Sequence, residues 1–164
     1  LDKASRRSFP TPLVSLYHFA GLGKLFPNSS RFARYNMSYL PVDQEAEVDS
    51  VVGAYMQVRR EALEAAGLLD ERFFMYGEDL DWAYRIKSAG WNVVYHPQVV
   101  VKHVKRAASR QSKRAQMEFW RAMLLFYRKH YQTTTPLWLH SLIMTGLLLK
   151  GGRTVWTELR QPTP

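Results

Sequence analysis

Gly67-Leu68-Leu69-Asp70-Glu71-Arg72-Phe73-Phe74-Met75-Tyr76-Gly77-Glu78-Asp79-Leu80-Asp81-Trp82-Ala83-Tyr84-Arg85 is the stretch from which the fold is read. Gly67 closes a helical pattern running from Arg59 to Ala66, as a left-handed residue does at a helix C-terminus. An irregular loop follows as far as Gly77, and a second helix is expected over roughly Glu78 to Ala89, stopped by Gly90. Upstream, Val48 to Val58 is rich in β-formers and interrupted by Gly53. Downstream, Trp91 to Tyr95 and Gln98 to Val104 read as short strands separated at His96-Pro97. The order strand, helix, helix, strand, strand suits the second half of an α/β domain.

Three zones result. Residues 1–47 are an irregular excursion punctuated by Pro10, Pro12, Pro27 and Pro41, with a short amphipathic helix expected through Leu13, Leu16, Tyr17 and Ala20. This zone reads equally as local aromatic packing and as a membrane-contacting or acceptor-gating segment. Residues 48–106 are the organised part. Residues 107–164 are expected to be helical: a basic helix from Arg114 to Tyr131, then an apolar one from Leu137 to Leu149. The second run is shorter than the roughly 20 residues a spanning helix needs, so it lies in a membrane interface or packs on the domain.

Lys and Arg number 23 against 14 Asp and Glu, a formal net charge of +9 that favours anionic partners. The sequence carries no helix-turn-helix, zinc-finger or RNA-binding strand signature, which argues against nucleic acid. With 46% hydrophobic residues the chain is not a disordered tail, and with no cysteine it has neither disulfides nor thiolate metal sites. Leu1 in first position, with no signal peptide ahead of the domain, suggests a fragment or processed product.

Glu78, Asp79 and Asp81 fall in the first turn of the second helix, where carboxylates favour the positive end of the helix dipole and Asp81 can pair with Arg85. At about 100° per residue Asp79 and Asp81 point nearly opposite ways. They therefore do not flank one glycosidic bond as a hydrolase pair does. For the same reason Asp79-Leu80-Asp81 is not read as a metal-binding DxD.

Val48-Asp49-Ser50-Val51-Val52-Gly53-Ala54-Tyr55-Met56-Gln57-Val58-Arg59-Arg60-Glu61-Ala62-Leu63 and the stretch from Gly67 to Arg85 together resemble the mid-domain segment of family 2 glycosyltransferases, especially the bacterial rhamnosyltransferase-like branch. The spacing on to Gly90-Trp91, Pro97 and His103 matches as well. The resemblance is close over about residues 48–110. It implies the C-terminal half of a GT-A (Rossmann-like) α/β domain followed by helical segments. It also implies inverting transfer of a sugar from a nucleotide-sugar donor to a saccharide or lipid-linked saccharide, as in cell-surface polysaccharide biosynthesis.

The resemblance further implies residue roles. Asp79 would be the catalytic base, with Glu78 beside it shaping the acceptor site. Gly53 and Ala54 would form a floor under a sugar, although tight backbone packing explains them equally well. Trp82 would offer a ring face to a sugar. Asp81 and Arg85 complete the candidate substrate-binding set, although an ion pair within the helix makes them scaffold. His103 would complete the coordination of a divalent metal (Mg or Mn) held by an upstream DxD.

The nucleotide-binding half and its DxD have no counterpart before Val48, so the 164 residues alone are expected to transfer little or no sugar. The expected location is cytoplasmic, peripheral at the inner face of the plasma membrane. The competing reading is a non-catalytic membrane-surface or assembly module, built on the basic run Lys102, Lys105, Arg106, Arg110, Lys113 and Arg114.

Overall fold

The computed structural model describes residues 2, 5–102 and 113–162. They divide into two compact units, one made of the described residues within 1–70 and 78–102, the other of those within 71–77 and 113–162.

The first unit opens on α1 (Pro12–Phe19), started by Thr11, whose hydroxyl accepts from the Val14 amide, with Pro12 at the first helical position. One turn of helix follows, α2 (Leu22–Leu25). The chain then enters β1 (Ala46–Val48), α3 (Arg60–Ala66), α4 (Glu78–Ser88) and β2 (Val93–Tyr95). β1 and β2 pair antiparallel in the register Ala46↔Tyr95, Glu47↔Val94, Val48↔Val93. The core packs α4 through Ala83 and Ile86 onto Val48, Val93 and Met37. Lys87 of α4 adds an ion pair to Glu47 at 2.8 Å.

This two-stranded sheet corrects the expected GT-A (Rossmann-like) α/β domain. Among the described residues the chain is mainly helical and has no extended sheet. The strand expected over Val48 to Val58 stops at Val48 and passes into irregular backbone with turns at Gly53, Ala54 and Tyr55. The described part of Gln98 to Val104 forms no ladder, and Val100 stands 89% exposed. The physical reason is pairing. β-Branched side chains favour a pleated, half-buried surface, but a strand forms only where a neighbour takes up its backbone hydrogen bonds.

The second unit is an antiparallel helix pair, α5 (Lys113–His130) and α6 (Leu137–Leu159), joined through a 3₁₀ turn at Gln132–Thr134. Leu124, Leu147 and Val155 form its core, with Trp120, Met123, Ile143 and Met144 around them. Arg121 bonds Glu158 at 2.8 Å, and Arg128 donates to the carbonyls of Glu158 and Gln161, satisfying groups that the end of α6 leaves open. α6 runs ten residues beyond its expected end at Leu149, with a kink at Gly152. Gly151 marks a close approach as well as a break, because a β-carbon there would lie 2.9 Å from Cβ of Trp120.

Candidate functional site

Tyr76 and Gly77 both take positive φ, 68° and 82°, and this turn delivers the chain into α4. A side chain at Gly77 would meet the Phe73 ring at 3.1 Å and Ala122 at 3.3 Å. Both the backbone angle and the space therefore require glycine immediately before the acid pair.

Asp79 is anchored at both carboxylate oxygens. Its Oδ2 accepts from Arg7 Nη2 at 2.8 Å and from the Gly53 amide at 3.0 Å, while Oδ1 accepts from the Leu80 amide at 2.8 Å. The Arg7 and Asp79 side chains are only 15% and 11% exposed. Gly53 is thus brought against Asp79, and a β-carbon on it would sit at 3.4 Å from Asp79 Cβ. Ala54, its neighbour, lines a cleft of about 1000 Å³ with Val52, Tyr55, Met56, Trp91 and Tyr95. Glu78 and Asp79 do not line that cleft.

Glu78 is in the opposite condition. Its Oε2 is buried with no hydrogen-bond partner among the described residues. Burial pushes its carboxyl above the ordinary carboxylate range; Asp79 beside it adds to the rise, while its own backbone amide and the Arg7 charge oppose it. A raised folded-state value means that the folded chain holds this proton more tightly than the unfolded one. The associated stability is complete below the unfolded pKa, near 4.5, and is lost as pH rises through the folded value. Glu78→Gln escapes that loss. Thermal melts are expected to show the variant above the parent at pH 7, with the gain gone at pH 4.

Asp81, Trp82 and Arg85 gather elsewhere, at the end of α3. Asp81 is fully buried and pairs with Arg85 Nε at 2.9 Å. Arg85 also donates to the carbonyls of Ala66 and Leu68, and the Trp82 indole donates to Gly67 O at 2.8 Å. Trp82 and Arg85 tie α4 to the end of α3 and the residues after it, and Asp81 holds Arg85 in place. The structure thus sorts the candidate residues into an acid site of Gly53, Glu78 and Asp79 and a separate clamp of Asp81, Trp82 and Arg85.

His103 lies outside the described residues, as do Lys105, Arg106 and Arg110. Among the described residues no group of three or more His, Asp or Glu is placed to hold a metal ion. The acids of α4 account for this locally, since Asp79 and Asp81 are already engaged by Arg7 and Arg85. The described residues therefore do not by themselves make a divalent-ion site.

Arg7 is the site residue that sequence reasoning missed. It lies 72 positions from Asp79 in the run Ser5-Arg6-Arg7-Ser8. No local spacing connects the two. Backbone pairing does, because Arg7 and Ser50 form an antiparallel bridge.

The family model described as glycosyltransferase like family 2 matches residues 16–122. The chain is also similar to the N-acetylglucosaminyl-diphospho-decaprenol L-rhamnosyltransferase of Mycobacterium tuberculosis, in strains CDC 1551 / Oshkosh and H37Rv. Each is 37% identical over 101 residues, covering 62% of this chain and 32% of the relative. The match therefore spans about a third of the length of these curated relatives. No solved structure matches the chain.

Proposed function

This chain belongs to the glycosyltransferase like family 2, and from that premise we propose that it is the acceptor-side part of an inverting nucleotide-sugar glycosyltransferase. The observation that carries the reading is the acid pair at the start of α4, inside the matched region: Asp79 held in a fixed orientation and Glu78 beside it with an unpartnered oxygen. In the proposed reaction an acceptor hydroxyl oxygen attacks the anomeric carbon as its proton passes to Asp79. The bond from that carbon to the diphosphate breaks, and the leaving nucleotide carries off the electron pair. A positioned carboxylate contributes of order 10²–10⁴-fold to such a step by general-base catalysis.

The name of the mycobacterial relatives points to L-rhamnose as the sugar and a lipid diphosphate carrying N-acetylglucosamine as the acceptor. Gly53 and Ala54 then lie between the acid pair and the cleft, as a floor for the acceptor sugar. We place no nucleotide-binding half within these 164 residues, so their part is acceptor binding and proton removal.

A membrane-surface role accompanies this reading. Trp138, Leu142, Leu149 and Trp156 are exposed along α6, with Lys150 and Arg153 beside them. Such a face suits an anionic lipid interface at the cytoplasmic side of the membrane. Among the described residues no helix is long and apolar enough to cross a membrane.

The test uses the 164-residue chain, a short-chain polyprenyl diphosphate N-acetylglucosamine and a nucleotide-activated L-rhamnose. Acceptor binding is expected to shift the NMR signals of the Gly53, Glu78 and Asp79 amides, with no sugar transfer by the chain alone. The chain is also expected to sediment with anionic vesicles at low salt. Unmoved amides at millimolar acceptor would overturn the acceptor-side reading. Robust transfer by the isolated chain would overturn its division of labour, and a chain left in the supernatant would remove the membrane role.

A further inference from the structure

Several arginines among the described residues donate to main-chain carbonyls. Arg6 donates to the carbonyls of Leu40 and Pro41, Arg85 to those of Ala66 and Leu68, and Arg128 to those of Glu158 and Gln161. Each of these three ties segments together by spreading its planar fork over main-chain acceptors. Arg7 does not. Its guanidinium bonds the Asp79 carboxylate, and its Nε is buried with no hydrogen-bond partner. A buried guanidinium that leaves a donor unused is costly as scaffold, and its charge faces the acid pair.

The backbone of Arg7 is fixed independently of its side chain. Its amide donates to Ser50 O at 2.9 Å, its carbonyl accepts from the Ser50 amide at 2.9 Å, and the Phe9 amide donates to Asp49 Oδ2 at 3.1 Å. The guanidinium is thus presented to Asp79 from a pinned segment. On the far side of the same oxygen the Gly53 amide completes the grip.

We infer that Arg7 is a positioning residue for the acid pair, fixing the Asp79 carboxylate against the Gly53 amide and supplying a positive charge shared with Glu78. Nothing in the family match assigns this residue, which lies ahead of the matched region. The role rests on the transferase reading, because positioning matters only if Asp79 takes a proton. Two carboxylates at adjacent positions repel, and Glu78 feels both the Asp79 charge and the opposing Arg7 charge. Arg7 offsets that repulsion before the acceptor proton moves. Once Asp79 carries the proton, the same positive charge faces Glu78.

The inference is tested without catalysis, so its failure and that of the transferase reading are distinguishable. Arg7→Met and Arg7→Lys are made in the 164-residue chain; the main-chain bridge to Ser50 needs neither side chain. In Arg7→Met, exchange of the Gly53 amide is expected to quicken about tenfold, and the Glu78 carboxyl, followed by carbon NMR, to titrate at higher pH. Arg7→Lys is expected to restore both toward the parent, since a lysine keeps the charge. Amides of α3 and α4 serve as the fold control. In an Asp79→Asn background, adding Arg7→Met is expected to leave Gly53 exchange where Asp79→Asn alone put it. The inference is overturned if methionine moves neither signal, if lysine behaves as methionine does, or if the effects of the two substitutions multiply. Should Arg7→Met fail to fold, Arg7→Lys decides alone: a Glu78 titration displaced as lysine replaces arginine overturns it.

Discussion

Arg85→Met is expected to destabilise the first unit by about 3–5 kcal/mol, the largest effect of any single substitution near the acid site. Asp81 is fully buried, and the guanidinium 2.9 Å from its carboxylate is its counter-charge. Removing one member of a buried pair leaves the other charge buried without that counter-charge, and the penalty exceeds the value of the pair itself. Methionine also leaves the carbonyls of Ala66 and Leu68 without the donor that Arg85 supplies. Urea unfolding checks the figure. Asp81→Asn combined with Arg85→Met is expected to recover part of the loss, because the stranded charge is then gone. A single variant as stable as the parent would remove the clamp from the account of this fold.

Leu124→Ala is expected to cost roughly 2–5 kcal/mol in the second unit. The Leu124 side chain is fully buried against Leu147 and Val155, under Trp120, Met123 and Ile143. Deleting it removes buried apolar area and leaves a cavity that a helix pair closes only in part. The close approach at Gly151 limits the collapse, since Trp120 already touches the α6 backbone there. Hydrogen exchange across α5 and α6 reads the result. A loss below ~1 kcal/mol would mean that the helices repack freely and that Leu124 is not central.

The two substitutions also indicate what was legible in the sequence. The α3 and α4 helices, the Asp81–Arg85 pair and the helical character of the C-terminal zone follow from caps, i to i+4 spacing and apolar periodicity, which are local signals. Glu78 and Asp79 stood out because helix-terminal carboxylates and the family pattern fall on the same residues. The strand expected over Trp91 to Tyr95 forms as β2 (Val93–Tyr95), but those expected over Val48 to Val58 and in the described part of Gln98 to Val104 do not. Val99-Val100-Val101 has strand composition, but composition carries no information about whether a partner strand is present. The apolar helix expected to end at Leu149 instead bends at Gly152 and continues to Leu159. Arg7 was the least legible, because its role depends on a bridge to Ser50 and not on any spacing within its own segment.

That bridge has a consequence for the order in which the molecule assembles. The clamp joins residues 15 and 19 positions apart, Gly67 to Trp82 and Ala66 to Arg85, whereas the grip on Asp79 closes 72 positions. Loop-closure entropy makes the longer contact more costly to nucleate by about 1.4 kcal/mol relative to the 15-residue one. The α3–α4 elbow therefore docks early in folding, and the first ten residues return to it late. The carboxylates are thus expected to stand on a formed helix before Arg7 reaches Asp79, which places this contact among the later ones to form in the unit.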